Sequence, residues 1–156
     1  MSTAITLLEQ REIEAKMVGP IFQAFAAEVG NQRAKEILAE VIKNLARQGG
    51  LLAAERMAGN DLIHLGGVIE KWQEGDALQL DLLHSDPHRL EFNVTRCRFA
   101  EMYRRLGLEE LGAILSCNRD GAMIEGFNPE IDFRRTQTLM EGASHCDFRY
   151  SVLKGD

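Results

Sequence analysis

The sequence predicts an α+β fold: N-terminal helices packed with a roughly four-stranded antiparallel sheet, made of two hairpins separated by a helix. Three observations carry this. Apolar residues recur at helical spacing up to about residue 74, alternate with polar ones after Gly75, and return to helical spacing between two alternating regions. The 156 residues read as a single domain, with a helical part over 1–74 and a hairpin, helix, hairpin part over 75–156.

The elements follow in order. Pro20 after Gly19 suits the first turn of a helix carrying Phe22, Phe25 and Val29 at helical spacing, with Gly30 as its C-terminal cap. After Asn31, the residues Ala34, Ile37, Leu38, Val41, Ile42, Leu45, Leu52 and Ala53 form one broad apolar stripe, which Gly49-Gly50 should weaken or kink. Asn60 or Asp61 caps a shorter helix with Leu62, Leu65, Ile69 and Trp72 inward. Leu78, Leu80 and Leu82, then Leu90, Phe92 and Val94, alternate on either side of the turn Ser85-Asp86-Pro87-His88, which makes a β-hairpin.

A helix follows with Met102, Leu106, Leu111, Ile114 and Leu115 inward and an irregularity at Gly107. It should end near Ser116-Cys117-Asn118-Arg119-Asp120-Gly121, leaving loop or partial helix to Asn128-Pro129. A second hairpin closes the chain, Glu130 to Met140 and His145 to Leu153, with Cys146, Phe148, Tyr150 and Val152 on one face of its last strand.

Composition narrows the function. The net charge is −6 and the isoelectric point about 5.3, which disfavours nucleic acid and acidic membrane surfaces, since both demand a dense basic patch. No apolar run approaches the roughly 20 residues that span a bilayer, and the N-terminus lacks signal-peptide character; a soluble, cytoplasmic protein is expected. That leaves a small-molecule or protein partner, and exposed helical stripes in so short a chain are compatible with a homodimer. Cys97, Cys117 and Cys146 form neither a disulfide framework nor a zinc-ribbon pattern, so they read as reduced thiols. There is no Gly-rich phosphate loop, no G-x-S-x-G and no H-E-x-x-H, and neither a cofactor nor a metal is expected.

Three places can carry chemistry. If the helix continues one turn, Cys117 and Asp120 share a side at i, i+3. A carboxylate alone raises a thiol's pKa, so a nucleophilic Cys117 would need a cation such as Arg119 or Arg135, whereas Asp120 as general base needs Cys117 only to shape the pocket. The strand Ile131 to Leu139 holds a parity conflict: the face marked by Ile131, Phe133 and Leu139 also carries Arg135 inward. A buried arginine is costly unless paired, so Arg135 meets an internal carboxylate, with Asp120 a candidate, or waits for an anionic ligand. The other solution is a bulge or sheet edge that returns its head to water. His145 and Cys146 point to opposite faces of their strand, which rules against a dyad, while Asp147 shares a face with His145 and could orient its ring. His64, His84 and His88 sit at element boundaries.

The runs Leu115 to Asp120, Gly126-Phe127-Asn128-Pro129, Arg135-Thr136-Gln137-Thr138-Leu139 and Gly142 to Tyr150 resemble the L-2-amino-thiazoline-4-carboxylic acid hydrolase family. Cys97 also looks like part of that pattern, and the resemblance covers about Phe92 to Tyr150. It implies a hydrolase acting on a carbon–nitrogen bond of a cyclic amidine, opening a thiazoline carboxylate towards a carbamoyl-cysteine. It supports the positions Asp120, Cys117 and His145 for catalysis and Arg135, Asn128, Thr138 and Cys146 for substrate without assigning roles. The chemistry of ring opening casts Asp120 as base, Cys117 as competing nucleophile and His145 as proton donor if its strand face lines the pocket. Arg135 suits the substrate carboxylate. The closing hairpin also resembles vinyl-reductase-type ligand-binding domains, which makes a non-catalytic small-molecule binding or sensor domain the rival reading.

Overall fold

The computed structural model describes residues 4–153. The first helix, α1 (Leu7–Val29), opens on a capping box: Thr6 Oγ1 accepts from the Glu9 amide and Glu9 accepts from the Thr6 amide. It runs straight through Pro20, where the sequence predicted a new start. Pro20 is exposed, so the carbonyl that loses its intrahelical donor lies on the solvent side and water can serve it. Gly30, at φ 91°, closes α1 and joins it directly to α2 (Asn31–Met57).

No break occurs at Gly49-Gly50; α2 is continuous. Of the predicted stripe only Ala34 and Ile42 are fully buried, joined by Ala46 and Gly50, while Val41, Leu45 and Leu52 remain about half exposed. On α1 a ridge of Ile13, Met17 and Ile21 is likewise uncovered. Asp61 caps α3 (Leu62–Trp72) by accepting from the His64 amide. No helix among the described residues is long and apolar enough to cross a membrane.

The hairpin of β1 (Leu78–Ser85) and β2 (Arg89–Cys97) forms as expected, its turn held by Asp86, whose carboxylate accepts from the His88 and Arg89 amides. Register shifts in β1 leave Leu82 and Leu83 exposed at the sheet edge. Next come α4 (Arg98–Arg105), a left-handed Gly107, and a short α5 (Glu109–Gly112). One π-helical turn over Ala113–Cys117 follows, and then α6 (Asn118–Phe127), a full helix where the sequence suggested loop or partial helix.

The second hairpin is shorter than predicted. Strand β3 spans only Ile131–Arg134 and pairs with β4 (Cys146–Val152). Beyond Arg134 the chain leaves the ladder because Asp147 takes its donors: the amides of Thr136 and Gln137 give to one carboxylate oxygen at 2.9 and 3.0 Å, and the Thr136 hydroxyl gives to the other. The sheet is antiparallel in the order β1-β2-β4-β3.

One apolar core lies between the inward face of β2 and β4 (Phe92, Val94, Phe148, Tyr150) and helices α2, α3 and α6. A second joins α1, α2 and α4 to the turn after α5, around Phe22, Ile42, Tyr103 and Leu115. Where α2 crosses α6 the backbones almost touch. A Cβ on Gly50 would collide with the Met123 carbonyl, and one on Gly126 with the Arg47 carbonyl. The paired glycines permit this approach, a tertiary role in place of the predicted kink.

Candidate functional site

Between the two cores lies a cavity of about 840 Å³. The π turn and α6 supply one wall. In the π turn the Asn118 amide donates to the carbonyl of Ala113 five residues back, which inserts a residue into the helical winding and turns Ser116, Cys117, Arg119, Asp120 and Met123 to the cavity. The facing wall comes from α2 and α3 (Ala46, Ala53, Trp72), and the floor from Val94, Cys146 and Phe148 of the sheet.

At its centre Arg135 donates to Asp120 Oδ2 at 2.5 Å and to the Cys117 carbonyl at 3.1 Å. The inward parity of Ile131 and Phe133 does carry on to Arg135, and the internal carboxylate it meets is Asp120. Its guanidinium also lies 5.4 Å from the Phe133 ring centre and 5.2 Å from that of Phe148, so both its charge and its faces are engaged. Asp120 keeps 20% of its side-chain surface accessible, and its Oδ1 makes no hydrogen bond among the described residues.

Burial pushes the Asp120 carboxyl above its usual range, and the Arg135 charge pulls against that. Burial likewise pushes the Cys117 thiol well up, Asp120 adds to the rise, and Arg135 only partly offsets it. Cys97, whose sulfur caps α4 by accepting from the Ala100 amide, is raised by burial to about 11. Cys146 accepts from the Leu139 amide and is also raised, first by burial. All three thiols line the cavity. The Tyr150 hydroxyl, fully buried and within the fields of Asp120 and Arg135, has no hydrogen-bond partner among the described residues.

The structure thus brings together Cys117, Asp120, Arg135 and Cys146 and leaves three other predicted positions outside the cavity lining. His145 lies across the strand from Cys146, beside Ser144 and Gln137; its face does not line the cavity. Asn128 caps α6, donating to the Asn60 carbonyl and accepting from the Glu130 amide. Thr138 is buried and starts a 3₁₀ turn over Leu139–Glu141, accepting from the Glu141 amide. For these two the spacing reflects local backbone capping. No group of three or more His, Cys, Asp or Glu side chains among the described residues has an arrangement that could hold a metal ion.

Several lining residues escaped the sequence reading, Arg11, Arg56 and Lys71 among them. With Arg119 and Arg135 they are the cations on the wall, against only Glu14, Glu74 and Asp120. The cavity is therefore electropositive within a chain of net charge −6. Arg11 had a legible signal: it stands four residues before Ala15 on the stripe that continues through Val18 and Phe22, a charge at an inward position.

Three comparisons bear on this site. The phenol-responsive sensory domain of the transcription activator PoxR, solved with phenol, superposes with a TM-score of 0.55 at 12% identity, covering 87% of this chain and 73% of that one. The likeness is one of fold. No curated protein matches the chain in sequence. The family model described as L-2-amino-thiazoline-4-carboxylic acid hydrolase matches residues 10–150.

Proposed function

Because the chain belongs to the L-2-amino-thiazoline-4-carboxylic acid hydrolase family, we propose that it opens a small cyclic amidine carboxylate of the 2-amino-thiazoline-4-carboxylate type towards a carbamoyl-cysteine, with Asp120 as general base. The observation that carries this reading is the Asp120–Arg135 pair on the cavity wall, with one carboxylate oxygen held and the other free. Arg135 fixes the carboxylate through Oδ2, and Oδ1 faces the water. Water oxygen bonds to the amidine carbon between nitrogen and sulfur while its proton passes to Oδ1. A ring bond at that carbon then breaks, and the departing atom takes the proton back from Asp120. His145 is not required for this cycle. A carboxyl raised by burial is the better base for it.

Cys117 shapes the pocket as a neutral thiol, since burial and Asp120 hold it protonated at neutral pH. The experiment is to incubate the purified protein with 2-amino-thiazoline-4-carboxylate and follow ring opening by mass spectrometry. Asp120→Asn should lower kcat by about 10²–10⁴-fold, and Cys117→Ala should stay within about tenfold of wild type. The reverse pattern puts the thiol at the centre and removes this mechanism. A free thiol in the product marks carbon–sulfur cleavage, a free amine carbon–nitrogen cleavage.

One observation favours a second reading. The cavity, about 840 Å³, lies high in the range of roughly 300–1,000 Å³ used by drug-sized ligands, more than one five-membered ring needs. A non-catalytic binding or sensor domain would hold a ligand there without opening it, and a well-folded wild type that binds the thiazoline but leaves it intact selects that reading.

A further inference from the structure

We propose that Arg11 and Arg119 form the clamp for the ligand's carboxylate, with Glu14 as their internal placeholder, in place of Arg135. This deepens the functional reading above and rests on its anionic ligand, but not on turnover. Arg135 is already charge-paired: it donates to Asp120 and to the Cys117 carbonyl, so its one positive charge is neutralised by an internal carboxylate. Arg11 and Arg119 are differently placed. Their side chains are only 13% and 17% accessible, yet both line the cavity.

Between them stands one carboxylate. Arg11 Nη1 donates to both oxygens of Glu14, at 2.7 and 3.0 Å, while Arg119 Nη2 lies 3.8 Å from Glu14 Oε2, beyond hydrogen-bond reach. Arg119 Nε is anchored on the Leu115 carbonyl at 2.7 Å, which fixes the plane of the guanidinium and leaves its terminal nitrogens without a hydrogen-bond acceptor among the described residues. Two largely buried guanidinium groups therefore share one negative charge. Such an excess is expensive unless an anion completes it. The mutual repulsion is visible in Arg119, which burial and the Arg11 charge both push below the usual arginine range.

The space matches. Arg11, Glu14 and Arg119 also line a recess of about 150 Å³, whose other walls include Tyr103 and Leu115. The Tyr103 hydroxyl and Ser116 Oγ, 2.7 Å apart, add polar groups at the same end. Arg119 and Asp120 both line the large cavity, so a ligand held by its carboxylate at Arg119 shares that space with Asp120.

The test is calorimetric binding of 2-amino-thiazoline-4-carboxylate and of its neutral carboxamide to the full chain. Wild type should prefer the carboxylate. Arg119→Gln and Arg11→Gln should each weaken the carboxylate by roughly tenfold or more and leave the carboxamide within about twofold. Glu14→Gln, which frees Arg11, should tighten the carboxylate several-fold, a gain that misfolding cannot imitate. Equal wild-type affinity for the two compounds, no detectable binding of the carboxylate, retained preference in both arginine variants, or no gain in Glu14→Gln overturns the clamp. Turnover is read separately. A wild type that shows this binding pattern without ring opening keeps the clamp and loses the hydrolase, while ring opening with no carboxylate preference does the opposite.

Discussion

Asp147 shows how one side chain can decide where a strand stops. By accepting from two amides and a hydroxyl it replaces the partners that β4 would have offered, and the segment it releases carries Arg135 to Asp120. Asp147→Ala should cost about 1–3 kcal/mol for the donors left unpaired. Burial pulls the Asp147 carboxyl up, but the hydrogen bonds from Thr136 and Gln137 pull it down further, to a net value below the ordinary 3.8. A folded-state pKa below the unfolded one stabilises above the unfolded value and loses that stabilisation as pH falls through the folded one. The gap between wild type and variant in urea midpoints should therefore be constant near neutrality and shrink only below about pH 4. A gap that is unchanged at pH 3 would place the effect elsewhere. At this scale the sequence was legible wherever parity could be counted. Arg135 conflicts with its strand face, and an internal carboxylate resolves the conflict. Arg11 breaks its helix stripe in the same way, but its meaning needed Arg119, brought close only by the packing of α1 against the π turn that leads into α6.

Among the elements, α6 was hidden by its own letters. Asn118-Arg119-Asp120-Gly121 has turn chemistry, yet Ala122, Met123, Ile124 and Phe127 bury enough apolar surface to keep those residues helical, and the preceding π turn shifts the phase that a strict 3.6 count relies on. The first hairpin and α3 were legible because alternation, a turn aspartate and an aspartate cap are local signals. Gly50 of α2 was misread for the complementary reason: a local rule sees only the lost side chain, and the close approach to α6 is a long-range fact. Gly126, its counterpart on α6, and Gly49 should behave oppositely. Gly126→Ala places a methyl group against the Arg47 backbone and should cost about 2–3 kcal/mol or more. Gly49→Ala meets nothing within 4 Å and should gain about 0.5–1 kcal/mol from helix propensity. Chemical denaturation of the two variants checks both signs, and a stable Gly126→Ala would mean that the helices can part without loss.

For the molecule as a whole, the α+β class and the order of its parts follow from where the hydrophobic period changes, and the site does not, because its walls come from six separate stretches of chain. The cavity lies between the two apolar cores, which share Leu78 and Cys97 at their margins. A ligand that fills it therefore supplies packing to both sides at once and acts as a missing piece of the interior. By mass action, saturation at a hundredfold excess over Kd stabilises the fold by about 2.7 kcal/mol, or roughly 5–10 °C in Tm for a chain of this size. Graded titration of 2-amino-thiazoline-4-carboxylate should raise Tm in proportion to the logarithm of its concentration, and a flat melting curve would mean it does not occupy the cavity. A cavity that touches both cores thus makes heat a reporter of chemistry: a compound that binds there makes the protein harder to melt, whether or not the compound emerges changed.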